Sequence, residues 1–124
     1  MECGGRILVA DDEPELRRIL ARALRGHGYD VVTAANGREA TEAWSRQTPP
    51  FDLAILDVRM PVMNGYEAYL QIRTISPGTR FLFVSGYADD AVWRTLQAEP
   101  DVRCMYKPFG TTELVAAVRA LLAA

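Results

Sequence analysis

The sequence predicts an α/β protein in which a parallel sheet is covered by helices on both faces. Two observations carry this. Five short, almost wholly apolar runs recur along the 124 residues, and amphipathic helical stretches alternate with them. Strands buried on both faces read as continuous apolar runs, and helices on both faces are what bury them. Right-handed crossovers then leave few topologies.

Each element has its own warrant. "RILVA" (6–10) is a short apolar run bounded by turn signals, the first strand. Residues 14–25 form a helix whose Leu16, Ile19, Leu20, Ala23 and Leu24 fall on one predicted apolar stripe. Gly26 and Gly28 end it. "DVVTA" (30–34) is the second strand, and "NGREATEAWSRQ" (36–47) a helix with Ala40, Ala43 and Trp44 inward. After "TPP", "DLAILD" (52–57) is the third strand. The loop "PVMNG" leads into a helix from Gly65 to about Thr74, with Tyr69 and Ile72 on one face. "SPGT" turns the chain into the fourth strand, "RFLFVS" (80–85), followed by the helix "ADDAVWRTLQA" (88–98). "VRCMY" (102–106) is the fifth strand, and 111–124 the closing helix, with Leu114, Val115, Val118, Leu121 and Leu122 inward. These elements fill the chain as one domain, 1–124, with no room for an output domain.

Composition excludes several classes. The chain is 49% apolar and 24% charged, a globular mix, and its net charge of −2 argues against nonspecific nucleic-acid or anionic-membrane binding. No apolar run approaches the roughly 20 residues of a membrane span. "MECGG" is too short and polar for a signal peptide, so a cytoplasmic location is expected. Cys3 and Cys104 lack metal-ligand spacing, and His27, between glycines in "RGHGY", reads as a loop residue.

In an open parallel sheet, ligands bind at the carboxyl edge of the strands. Here the first strand ends in Asp11–Asp12, the third in Asp57, the fourth in Ser85–Gly86 and the fifth in Tyr106–Lys107–Pro108. Each has an ordinary reading as well. Asp12 with Glu15 has capping-box spacing ahead of the first helix; Asp57 and Ser85 could be turn residues, and Lys107 a solvated lysine. Those readings do not explain why acids end strands one and three while the lone lysine ends strand five. A hard divalent cation such as Mg2+ does, because it lets neighbouring carboxylates stay charged. With a lysine and a hydroxyl opposing an incoming anion, the set suits phosphoryl transfer, and a carboxylate can be the nucleophile.

Four blocks, "ILVADDE", "LAILDVRMPVMNG", "FLFVSGYAD" and "MYKPF", resemble in order and spacing the signature blocks of the response-regulator receiver domain of two-component signalling. The resemblance implies a flavodoxin-like (βα)5 fold with strand order 2-1-3-4-5. It implies that Asp57 accepts a phosphoryl group from a phosphohistidine, on a histidine kinase or histidine phosphotransfer protein. Asp11, Asp12, Asp57 and the backbone carbonyl of Arg59 would bind Mg2+ or Mn2+. Ser85 would hydrogen-bond a phosphoryl oxygen, Lys107 would pair with the phosphate, and a cis peptide would precede Pro108. The helix four–strand five–helix five face would be the interaction surface and a homodimer contact; Trp93 and Arg94 lie on helix four, and Trp93 reads equally as a residue of that face or as one packed partly into the core. "SGYADD" followed by "KPF" is closer to hybrid-kinase or free-standing receivers than to DNA-binding regulators.

Two positions depart from the pattern or add to it. Many receivers carry Tyr or Phe three residues before the lysine as a rotameric switch; here that position is Cys104, and Tyr106 lies on the same side of the strand by alternation. Arg59 places a long cation two residues after the acceptor, where it would tune phosphoryl lifetime. Rival readings fare worse. A dehalogenase-like phosphatase needs an acid where Arg59 stands. A flavin carrier needs a Gly- and hydroxyl-rich loop where "ADDEPE" puts negative charge. A receiver-like module that docks without phosphorylation is the remaining alternative.

Overall fold

The computed structural model describes residues 5–46, 50–86 and 91–123. Its elements alternate strictly: β1 (Arg6–Ala10), α1 (Pro14–Gly26), β2 (Asp30–Ala34), α2 (Gly37–Arg46), β3 (Leu53–Asp57), α3 (Gly65–Ile75), β4 (Arg80–Ser85), α4 (Ala91–Gln97), β5 (Val102–Tyr106) and α5 (Thr111–Ala123). The strands form one parallel sheet in the order β2-β1-β3-β4-β5, the flavodoxin-like order expected from the resemblance.

Alternation along the central strands sorts their side chains into two cores. Leu8, Ala10, Ala54, Leu56, Phe81 and Phe83 face one side, packed with Ala40 and Trp44 of α2, Tyr69 and Ile72 of α3, and Trp93 and Leu96 of α4. Ile7, Val9, Leu53, Ile55, Leu82 and Val84 face the other, against Leu20 and Leu24 of α1 and Leu114 and Val118 of α5. The central strands β1, β3 and β4 are therefore apolar at consecutive positions because both of their faces are covered, while the edge strands β2 and β5 keep exposed residues such as Asp30 and Arg103.

Helix starts follow local chemistry. Asn64 accepts from the Glu67 N–H, and Glu67 accepts from the Asn64 N–H, each at 2.9 Å, a full capping box for α3. At the head of α2, Asn36 accepts from the Glu39 N–H and Glu39 from the Ala35 N–H. The expected box at Asp12–Glu15 does not form. Glu13 is the N-cap residue of α1 and makes no side-chain cap.

The stripe expected on α1 is also rotated. Leu20, Ala21 and Leu24 are buried, while Ile19 is 52% exposed. The small Ala21 faces the sheet in its place. On the same row, the Arg17 guanidinium donates to the Asp11 carbonyl at 2.7 Å, an anchor that periodicity does not register. The helix at residues 88–98 is shorter, α4 ending at Gln97 with Ala98 in a turn, and its first three expected positions lie outside the described residues. Cys3 also lies outside them. His27 is an exposed loop residue, its Nδ1 2.9 Å from the Ala23 carbonyl oxygen.

Candidate functional site

The carboxyl edge of the sheet gathers the residues that the sequence spread over a hundred positions. Parallel register fixes the depth of each. Leu56 lies beside Ala10 and Phe83, so Asp57 emerges one residue beyond the end of β1, next to Asp11. Ser85 pairs with Tyr106, and the Lys107 N–H donates to the Ser85 carbonyl at 2.8 Å. The Val58 N–H donates to the Val84 carbonyl at 3.1 Å, and the Gly65 N–H to the Val58 carbonyl at 3.0 Å. The head of α3 is thereby drawn against the acceptor strand. A side chain at Gly65 would collide with the Asp57 carbonyl, so this approach requires glycine.

Asp11, Asp57 and Ser85 are buried, at 0%, 5% and 1% exposure, while Asp12 is exposed at the mouth. One carboxylate oxygen from each of Asp11, Asp12 and Asp57 lies within 4.8 Å of the others. Lys107 reaches into this group. Its Nζ is 2.9 Å from Asp57 Oδ2, 2.9 Å from Glu13 Oε1 and 3.1 Å from Asp11 Oδ2. The Arg59 N–H donates to Asp57 Oδ1 at 3.2 Å, and the Glu13 N–H to Asp11 Oδ1 at 2.9 Å. The Lys107–Pro108 peptide is cis, as the resemblance implied.

Burial, more than neighbouring charge, sets the ionisation of the acceptor carboxylate. Burial is the main influence on Asp57 and, with the Asp11 charge, pushes its carboxyl up to about 6, against the opposing pull of Lys107 and the Arg59 N–H. Burial alone would lower Lys107. Its hydrogen bonds to Asp57 and Glu13, with the charges of Asp57 and Asp11, outweigh that and hold it well above the usual lysine range.

The oxygens also fit a hard cation. Asp11 Oδ2 is buried and, although close to Lys107, makes no hydrogen bond. Three carboxylates offering oxygen ligands, one of them with a buried oxygen that makes no hydrogen bond, suit a hard cation such as Mg2+.

A family model for the response regulator receiver domain matches residues 7–119. The chain belongs to the response regulator receiver domain family. Among similar proteins, it is 37% identical over 116 residues to the sensor kinase CckA of Brucella abortus, covering 94% of this chain but only 12% of that protein. It is 35% identical over 119 residues to the response regulator receiver protein CpdR of the same organism, covering 96% of this chain and 98% of CpdR. The solved structure of the chemotaxis protein CheY4 from Vibrio cholerae superposes with a TM-score of 0.86 at 30% identity, over 97% of this chain and 100% of that one. This receiver domain is thus a module of two-component signalling, and its pocket of Asp11, Asp12 and Asp57 fits a phosphoacceptor site. Receiver domains bind Mg2+ at such an acidic cluster.

Every site residue named from the sequence lies at this edge. Two contributors were missed. Glu13 reaches Lys107 from 94 residues away, and Arg17 holds the Asp11 carbonyl. The only sequence signal for either was its position in or just after the acid run. On the β5 side of this receiver domain, Cys104 is partly buried in the α2–α3–α4 core, and burial raises its thiol to about 11, so it acts as a small neutral side chain. Tyr106 is 51% exposed, its ring 5.1 Å from that of Trp93. Trp93 itself is 1% exposed, so of its two readings the structure favours the core.

Proposed function

We propose that this receiver domain takes a phosphoryl group on Asp57 from the phosphohistidine of a histidine kinase or histidine phosphotransfer protein. The observation that carries this reading is the placement of Lys107 Nζ 2.9 Å from Asp57 Oδ2 inside a three-carboxylate pocket. An Asp57 oxygen forms the new P–O bond as the P–N bond to the donor imidazole breaks, and the electron pair of that bond stays on the imidazole nitrogen. Hydrolysis reverses the state: water attacks phosphorus, releases inorganic phosphate and returns the Asp57 carboxylate. The chain's own chemistry is confined to these self-directed steps, so it acts as a signalling phosphoacceptor and not as an enzyme with an external substrate.

Lys107 neutralises phosphoryl charge as a point cation, and Ser85 donates a hydrogen bond to a phosphoryl oxygen from its buried place at the end of β4. Asp11, Asp12, Asp57 and the Arg59 carbonyl would hold Mg2+ or Mn2+, which supplies charge neutralisation of the transferring group when bound. The Arg59 side chain is exposed at the mouth and tunes phosphoryl lifetime. Dephosphorylation rates of wild type and Arg59→Ala are expected to differ; equal rates remove this role.

We read residues 1–124 as a single receiver domain acting in the cytoplasm. Among the described residues no helix is long and apolar enough to cross a membrane. The α4–β5–α5 face, with Arg94 and Tyr106 exposed, is the proposed homodimer surface.

The test is an intact-mass measurement after incubation with acetyl phosphate and Mg2+, beside Asp57→Asn. One phosphoryl on wild type and none on the variant is the expected result. No addition to either, with Mg2+ binding intact, would replace this reading with a docking module that works without phosphorylation.

A further inference from the structure

Lys107 is the only lysine in the sequence; the other basic residues are thirteen arginines and His27, so this ammonium has no substitute of its own kind. It is shared. Asp57 Oδ2 and Glu13 Oε1 each lie 2.9 Å from Nζ. The Asp11 carboxylate lies 3.1 Å from Nζ as an ion pair without a hydrogen bond, so the two hydrogen bonds of the ammonium go to Asp57 and Glu13.

Glu13 is the unusual member. It stands at the N-cap of α1, where a side chain commonly turns back to the helix N–H groups, as Asn64 does for α3. Glu13 leaves that role unfilled and crosses to the loop after β5 instead. Its backbone N–H holds Asp11 Oδ1 at the same time. The head of α1 and the β5–α5 loop are therefore joined through one side-chain pair beside the acceptor.

Building on the phosphoacceptor reading, we propose that Glu13 is a positioning residue that competes with the phosphoryl group for the Lys107 ammonium. In the unphosphorylated protein Glu13 holds one donor of Lys107 to the side of α1. A phosphoryl group on Asp57 brings oxygens that need the same donors. Glu13 thus opposes formation of the adduct, by occupying the ammonium and by adding a negative charge nearby. Glu13 is 62% exposed in its side chain, so water screens the pair and the effect is modest.

The single lysine makes the contact directly observable. In the full chain labelled with 13C and 15N only at lysine, Lys107 gives one side-chain signal. The donor dependence of phosphorylation is measured in parallel with acetyl phosphate and Mg2+. Glu13→Gln is expected to move the Lys107 signal and to lower the half-saturating acetyl phosphate concentration roughly two- to fivefold, the range open to a screened ion pair. Glu13→Asp keeps the charge but draws the carboxylate back by one methylene. Competition through contact predicts that it follows Glu13→Gln. Behaviour equal to wild type would mean a general field effect and would overturn the proposal. So would an unmoved lysine signal, or an unchanged donor dependence, in Glu13→Gln while wild type is phosphorylated. If wild type itself takes no phosphoryl group, the parent reading fails first, a result distinct from a phosphorylated wild type that matches its variants.

Discussion

The two faces of the sheet are built from different materials. The α1–α5 side is aliphatic, with Ile7, Val9, Ile55, Leu82 and Val84 under Leu20, Leu24, Leu114 and Val118, and Tyr29 as its buried aromatic residue among the described residues. The α2–α3–α4 side is aromatic. Trp44 stacks on Phe51, Tyr69 meets Phe81 and Phe83 edge-on, and Trp93 sits against Tyr106. Aliphatic side chains need only space. Buried Trp and Tyr also carry polar atoms that need partners. Trp44 Nε1 donates to Ser76 Oγ at 2.9 Å, and the Tyr69 hydroxyl accepts from Arg73 at 2.8 Å. Trp93 Nε1 is buried with no hydrogen-bond partner among the described residues. Among the described residues the aromatic face is thus satisfied at Trp44 and Tyr69 and incomplete at Trp93 of α4, whose ring lies 5.1 Å from that of Tyr106.

The largest break in this contrast would come from the centre of the sheet. Phe83→Ala on the aromatic face is expected to cost about 3–5 kcal/mol, and Leu82→Ala on the aliphatic face about 2–5 kcal/mol. Urea unfolding of both would test whether the two faces share one cooperative unit. A separate transition for either variant would show that they do not.

Next in size is the acceptor, which lies between the faces. Asp57 ionises at 3.8 in its unperturbed state and at about 6 in the fold. A native carboxyl with a raised value adds stability fully below the unfolded value, and that contribution is lost as pH rises through the folded one. Metal-free wild type at pH 7.5 therefore carries a cost of up to about 3 kcal/mol from ionised Asp57. Asp57→Asn should be the more stable protein there, with the gap closing by about pH 4. Mg2+ should raise the melting temperature of wild type at pH 7.5 far more than that of the variant. A wild type more stable than Asp57→Asn in metal-free buffer at pH 7.5 would contradict the cost of burying an ionised Asp57.

A smaller effect sharpens the α2–α4 difference. Trp44→Phe removes a made hydrogen bond and should cost about 1 kcal/mol more than Trp93→Phe, which removes a donor that has no acceptor. Equal losses in thermal melts would mean that Trp93 Nε1 is satisfied in solution. Smallest is the loop after β3. Val62 holds φ at +69°, a left-handed conformation that strains a β-branched side chain, and it is 71% exposed. Val62→Gly should stabilise by a fraction of a kcal/mol, because relief of strain exceeds the entropy that glycine adds to the unfolded chain. Lower stability would mean that Val62 makes a contact worth more than its strain.

Local chemistry determined much of this protein without help. Five apolar runs long enough for strands, each followed by an amphipathic stretch, leave a doubly covered parallel sheet as the way to bury both strand faces. That topology alone carries Asp11, Asp12, Asp57, Ser85 and Lys107 to one edge, because every strand of a parallel sheet ends there. Tertiary structure decided what periodicity is blind to. Ile19 and Ala21 are both apolar and lie about 200° apart around the helix, on nearly opposite sides. Packing turned the small residue inward, with Arg17 on the same row anchored to the Asp11 carbonyl. Trp93 is an aromatic residue on a short helix, and only its packing into the aromatic core, with its ring 5.1 Å from that of Tyr106, settles that it is core. The reach of Glu13 to Lys107 spans 94 residues and depends on the length of two flexible side chains meeting across a loop. No local pattern encodes such a meeting, since it exists only once the sheet has brought both strand ends together.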